Sequence, residues 1–112
     1  MLKTKSKKEM RKIIAGMVRR IVRDFHPDKI ILFGSQARGT AGPDSDVDLL
    51  VVMPVEGSKR EKSIQIRVAL SGSGIPLDIV VRTPENLERR WWIPGTIERP
   101  ALLEGKVLYQ RA

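Results

Sequence analysis

Three carboxylates and one glycine turn hold the chemistry available to this sequence. Gly34 and Ser35 follow an apolar, β-forming run, Lys29–Phe33, where such a strand must turn. Ten residues separate Ser35 from Asp46, and Asp46 and Asp48 open a second apolar run over residues 47–53. Side chains two apart on a strand share a face, so both carboxylates can reach one point in space. A third, Asp78, sits among Leu77, Ile79, Val80 and Val81. Buried there without compensation, it would cost on the order of several kcal/mol. If that run lies beside residues 47–53, Asp78 joins Asp46 and Asp48. Clustered carboxylates repel, and their pKa values rise unless a cation is present. Oxygen-only ligands suit magnesium or manganese. Two such ions about 4 Å apart clamp the attacking and leaving oxygens of an in-line displacement at phosphorus.

The turn supplies the complementary part. Gly34 lets backbone approach closely. The amides opening a short helix after it suit a phosphate, and the Ser35 hydroxyl adds a donor. Arg38, one helical turn on, can meet phosphate or pair with Asp44. Asp-x-Asp alone is a weak signal, and Gly-Ser alone is weaker. Strand, Gly-Ser, a ten-residue gap, Asp-x-Asp and an isolated Asp in a third strand make a strong joint signal. The alternative is that Asp44, Asp46 and Asp48 solubilise a turn while Asp78 caps or pairs locally. It leaves an acidic residue inside an apolar strand unexplained.

The surrounding elements follow from periodicity. Met10, Ile13, Ile14, Met17, Val18, Ile21, Val22 and Phe25 recur at helical spacing, which predicts a helix over residues 6–25. Ser6 and Glu9 form a capping box, and Pro27 ends the helix with His26 extended before it. Residues 1–8 read as a disordered basic leader. Residues 47–53 suit a central strand. Residues 59–70 read as a helix with Ile64, Val68 and Ile66 facing inward. A third strand covers residues 76–81, Thr83-Pro84 starts another helix, residues 96–104 form the last one, and residues 106–109 are an edge strand. The expectation is an α/β (α+β) fold: one domain over residues 1–112, with a short mixed sheet, flanking helices and the acidic site at an open sheet edge.

Composition narrows the partners. The 112 residues suffice for one modest core, and the absence of cysteine excludes disulfides and thiolate metal sites. No apolar run approaches membrane-spanning length, so the expectation is a soluble, cytoplasmic protein without a membrane partner. The net charge is +8, and residues 1–23 hold nine Lys or Arg against one Glu, so the excess belongs to the N-terminal segment. A solvated helix face is the favoured reading; steering of RNA, ATP or an acidic protein is the alternative. Trp91 and Trp92 are read as packing on the end of the sheet, the alternative being that one marks a contact surface. Tyr109 reads as an edge residue, the alternative being a self-modification site.

Together these residues resemble a minimal nucleotidyltransferase of the DNA polymerase beta superfamily. Gly34, Ser35, Asp46, Asp48 and Asp78 occupy the places of that family's signature. The chain resembles most of all the small MntA-like antitoxins encoded beside HEPN-domain toxins, and the ending Ala101-Leu102-Leu103-Glu104-Gly105-Lys106-Val107-Leu108-Tyr109 also looks like that group. The resemblance implies two Mg2+ ions, with Mn2+ as a substitute, and ATP as substrate. Asp46 and Asp48 would ligate both metals. Asp78 would ligate the one that activates the attacking hydroxyl, and could help take its proton. Gly34 and Ser35 would hold the β- and γ-phosphates, with Arg38 beside them. AMP would pass to a tyrosine of the HEPN toxin. With nearly all 112 residues spent on this core, the expectation is that no second domain encloses a small acceptor and that a protein partner fits best.

Two other functions use the same residues differently. A non-catalytic antitoxin would only occlude its partner, but pure binding needs no three carboxylates. A nucleic-acid-binding module would use the basic helix, with affinity falling steeply with salt; few aromatics are available for stacking on bases. The sequence leaves homo-oligomerisation open.

Overall fold

Near-continuous burial along the two central strands marks a sheet covered on both faces. The computed structural model describes residues 6–42 and 45–112. Its elements are α1 (Lys7–Phe25), β1 (Lys29–Phe33), α2 (Ser35–Arg38), β2 (Val47–Val52), α3 (Lys59–Ala69), β3 (Leu77–Arg82), α4 (Pro84–Arg90), α5 (Glu98–Glu104) and β4 (Lys106–Gln110). The four strands lie in the order β3-β2-β1-β4. β1 is antiparallel to β2 and β4, whereas β2 and β3 are parallel. A parallel pair needs a crossover, which α3 provides. The result is the mixed, helix-flanked α+β sheet expected from the sequence.

One sheet face carries Val47, Leu49, Val51, Ile79 and Val81, packed with Ile14, Met17, Val18 and Ile21 of α1 and Ile66 of α3. The other carries Ile31, Leu50 and Val52 against Ala101 of α5, with Phe33, Val80 and Leu87 at the margin. Covering both faces explains why β2 is apolar almost throughout. Its one incompletely buried residue is Asp48.

Ser6 starts α1 with the expected capping box: the Glu9 N–H donates to Ser6 Oγ at 3.1 Å, and the Ser6 N–H to Glu9 Oε1 at 3.5 Å. Ser6→Ala is expected to cost about 1 kcal/mol, read as a lowered midpoint in urea unfolding. Lys7 and Lys8 already belong to α1, so the leader read over residues 1–8 is shorter at its C-terminal end; residues 1–5 lie outside the described residues. His26 is not extended before Pro27. It adopts the left-handed conformation (φ 52°, ψ 54°) and its N–H donates to Val22 O at 3.2 Å, so the cap overrides the usual pre-proline preference.

The inward face of α3 also differs from expectation. Ile66 and Leu70 are buried, whereas Ile64 and Val68 are 46% and 65% exposed. Residues two apart on a helix differ by about 200°, so Ile66 cannot share a face with the other two. Trp91 is half-buried but Trp92 is 60% exposed, so the two do not both pack on the sheet.

Gly105, between α5 and β4, is required by packing. A Cβ there would run into the Ala101 carbonyl oxygen and come within 2.5 Å of Ile31 Cγ2. Glycine is what lets α5 close down on β1. Among the described residues, no helix is long and apolar enough to cross a membrane.

Candidate active site

β1 hands the chain to Gly34, where it turns into the four-residue helix α2. Gly34 has φ 74° and ψ −156°, a conformation side chains disfavour. A Cβ there would also collide with Asp48 Oδ2 and lie 3.3 Å from Asp48 Cγ. The Asp48 carboxylate thus lies directly against the glycine turn. The N–H groups of Ser35 and Gln36 open α2, where no intrahelical carbonyl precedes them. Gly34→Ala is expected to cost about 1–3 kcal/mol through backbone strain. It would also displace Asp48, and a displacement of this kind lowers turnover by about a hundredfold; steady-state kinetics alongside thermal unfolding separates the two effects.

β2 places Asp48 opposite Phe33 of β1 and Asp78 of β3. Directly paired residues point to one face, so Asp48 and Asp78 share the face that carries Leu50 and Val80. Asp46 lies just before β2 and is exposed. The Ser45 hydroxyl shapes the approach, accepting the Gly42 N–H at 2.8 Å. The Val47 N–H donates to Pro76 O at 2.9 Å, joining the beginnings of the two acidic strands. Burial, and then the charges of Asp78 and Asp46, push the Asp48 carboxyl above its ordinary range; Arg38 pulls it the other way. Asp78, Asp46 and Arg38 therefore each act electrostatically on Asp48.

The cost that would attach to a buried Asp78 does not arise: its side chain is 56% exposed because β3 is the edge strand of the sheet. Arg67 Nη2 of α3 stands 3.9 Å from Asp78 Oδ1, an exposed pairing of little energetic weight. Among the described residues, no group of three or more His, Asp or Glu side chains is arranged to hold a metal ion as the side chains stand. The donors on offer are all oxygen, and the repulsion that raises Asp48 is the kind a divalent cation relieves. In their chemistry, then, the residues fit such an ion.

Arg38 Nη1 pairs with Glu104 Oε2 of α5 at 3.6 Å, both side chains being about half exposed. The Asp44 pairing weighed from the sequence lies outside the described residues. Arg67 and Glu104 escaped the sequence reading because neither adjoins an acid or a base in sequence. Helix spacing alone does not reveal which strand end each will meet.

The nucleotidyltransferase domain family matches residues 15–102. A relative from Methanocaldococcus jannaschii, "Putative protein adenylyltransferase MJ0604", is 35% identical over 82 residues, covering 72% of this chain and 77% of that protein. A second from the same organism, "Putative protein adenylyltransferase MJ0141", is 39% identical over 54 residues, or 48% of this chain. The chain spans about half, 54%, of that second protein's length. Among solved structures, a putative nucleotidyltransferase from Sulfolobus solfataricus superposes with a TM-score of 0.66 at 22% identity, over 99% of this chain and 93% of that one. A toxin–antitoxin crystallised with AMP-PNP superposes with a TM-score of 0.55 at 22% identity, over 87% and 73%.

Proposed function

Since this chain belongs to the nucleotidyltransferase domain family, we propose that it transfers AMP from ATP to a hydroxyl of another protein, a tyrosine of a HEPN-type toxin, and so acts as an antitoxin. The observation that carries the reading is the contact of the Asp48 carboxylate with the Gly34 turn, in register with Asp78. A group that binds phosphate and a group that handles its charge then serve the same phosphoryl centre. The adenylyltransferase names of the two Methanocaldococcus relatives support the substrate class. The fold shared with the toxin–antitoxin bound to AMP-PNP supports both the nucleotide and the partner class.

In this reading the amides after Gly34 and the Ser35 hydroxyl hold the β- and γ-phosphates, and Arg38 leaves Glu104 to meet phosphate. Asp46, Asp48 and Asp78 would hold magnesium, which would supply charge neutralisation at the phosphates and lower the pKa of the attacking hydroxyl. The acceptor oxygen bonds to the α-phosphorus, the bond from that phosphorus to the bridging oxygen breaks, and pyrophosphate leaves. The hydroxyl proton passes to Asp78, whose exposure at the sheet edge leaves it open to an incoming chain. Arg67 must release Asp78 for this step.

The test is incubation with ATP, magnesium and the protein encoded beside this one, followed by mass mapping of the product. An AMP adduct on a tyrosine, absent with Asp46→Ala, is expected. An adduct that survives Asp46→Ala would remove the assignment.

A further inference from the structure

Three of the seven basic residues of α1, Lys7, Arg11 and Arg19, fall on one ridge beside a groove, whereas Lys8, Lys12, Arg20 and Arg23 lie off it. Met10, Ile14 and Val18 repeat every four residues and form one ridge along the helix. Lys7, Arg11, Ala15 and Arg19 form the next ridge, in the same steps of four. Both ridges line a groove of about 840 Å³, whose far wall is Lys106 and Leu108 of β4 and whose floor includes Leu32. The groove reaches Gln36 of α2 and Gly39, Ala41 and Gly42, the segment leading to Asp46. Its charged lining residues are Lys7, Arg11, Arg19 and Lys106; none of the described lining residues is acidic. Ala15 is exposed and leaves a notch in the basic ridge.

Helices pack by seating the ridge of one in the furrow between two ridges of the other. Here the furrow is basic on one side, and on the other Met10 and Leu108 keep apolar surface while Ile14 and Val18 are buried at its base, over the roughly 18 Å from residue 7 to residue 19. A helix that fills it needs an apolar ridge and acidic flanks. A nucleic acid would meet the cations but would leave Met10 and Leu108 without a partner. We propose that the groove between α1 and β4 docks an acidic amphipathic helix of the acceptor protein and so holds that protein beside the loop that carries Asp46. The identity of the docked protein as acceptor rests on the transferase reading above; the groove's preference for such a helix does not.

The probe is a fluorescein-labelled synthetic peptide of about five helical turns, with Leu on one stripe and Glu on both flanks. Its anisotropy is followed with wild-type protein, with Ala15→Trp, which fills the notch, and with Arg11→Glu/Arg19→Glu. All three positions are exposed, so circular dichroism should show unchanged folding. The peptide is expected to bind wild-type protein and to lose about tenfold or more in affinity with either variant. It is expected to bind Asp48→Asn as it binds wild type, which separates the groove from the nucleotide site. A scrambled peptide of the same composition should bind weakly. Equal binding of the scrambled peptide, indifference to Ala15→Trp, or tighter binding of a labelled single-stranded oligonucleotide would each overturn the proposal. Groove-dependent binding in a protein that transfers no AMP would count against the transferase reading and leave the docking preference standing.

Discussion

Asp48→Asn is expected to lower nucleotide transfer about a thousandfold while raising the melting temperature of the nucleotide-free protein. The two effects have one cause. Burial and the nearby charges of Asp78 and Asp46 raise the Asp48 carboxyl above its ordinary range. The native state therefore holds a proton on Asp48 more readily than the unfolded chain does. The stability this gives is fully present below the ordinary carboxylate pKa and is lost as pH rises through the raised native value. At neutral pH an ionised Asp48 opposes folding, and asparagine removes that opposition at nearly constant volume. The gain should amount to a few degrees, on the order expected for a single site in a domain of this size. It should vanish in acid, where the wild-type carboxyl is protonated in both states. Magnesium with a nonhydrolysable ATP analogue should stabilise wild type by mass action and leave Asp48→Asn nearly unmoved. Thermal unfolding across pH, with and without ligand, checks each part.

Glu98→Ala is expected to be the most damaging substitution for stability, costing about 3–5 kcal/mol of a total of about 5–15 kcal/mol for such a domain. The Glu98 side chain is 1% exposed and accepts from Arg82 Nε at 2.7 Å and from Arg90 Nε at 2.8 Å. It ties β3, α4 and α5 together at the end of β3 remote from Asp78. Burial raises its carboxyl, but the hydrogen bonds and charges of Arg82 and Arg90 outweigh that and hold it below its ordinary range. Its stabilising contribution is thus present above the unfolded pKa and is lost as pH falls through the depressed native value. Wild type should lose stability on acidification more steeply than Glu98→Gln. Most of the cost of Glu98→Ala comes from Arg82, 27% exposed, being left unpaired; Arg90, 52% exposed, can return to water. Urea titrations at neutral and acid pH measure both effects.

These two residues show what the sequence reveals and what it hides. The pairing of Asp48 with Asp78 was legible because two apolar runs that lie side by side bring their acidic starts together. Gly34 was legible because a strand followed by Gly-Ser must turn. The parallel pairing of β2 with β3 brings Asp48 opposite Asp78, as the arrangement of the apolar runs implied. Glu98 was invisible: it lies in the charged stretch Glu98-Arg99-Pro100, and only the three-dimensional convergence of Arg82 and Arg90 makes its burial tolerable. Whether Asp78 is buried was left open for a related reason, since apolar neighbours in a strand do not tell an edge from a centre. Likewise Ile64 and Val68 look like core residues by type, and only the position of Ile66 fixes which way α3 is turned.

The most direct test of the reaction compares ATP labelled at the α-phosphate with ATP labelled at the γ-phosphate, in the presence of magnesium and the acceptor protein. The account predicts that the α-label enters protein, that the γ-label leaves as pyrophosphate, and that both events disappear with Asp48→Asn. Retention of the γ-label on protein, or α-label transfer undiminished by Asp48→Asn, would contradict it.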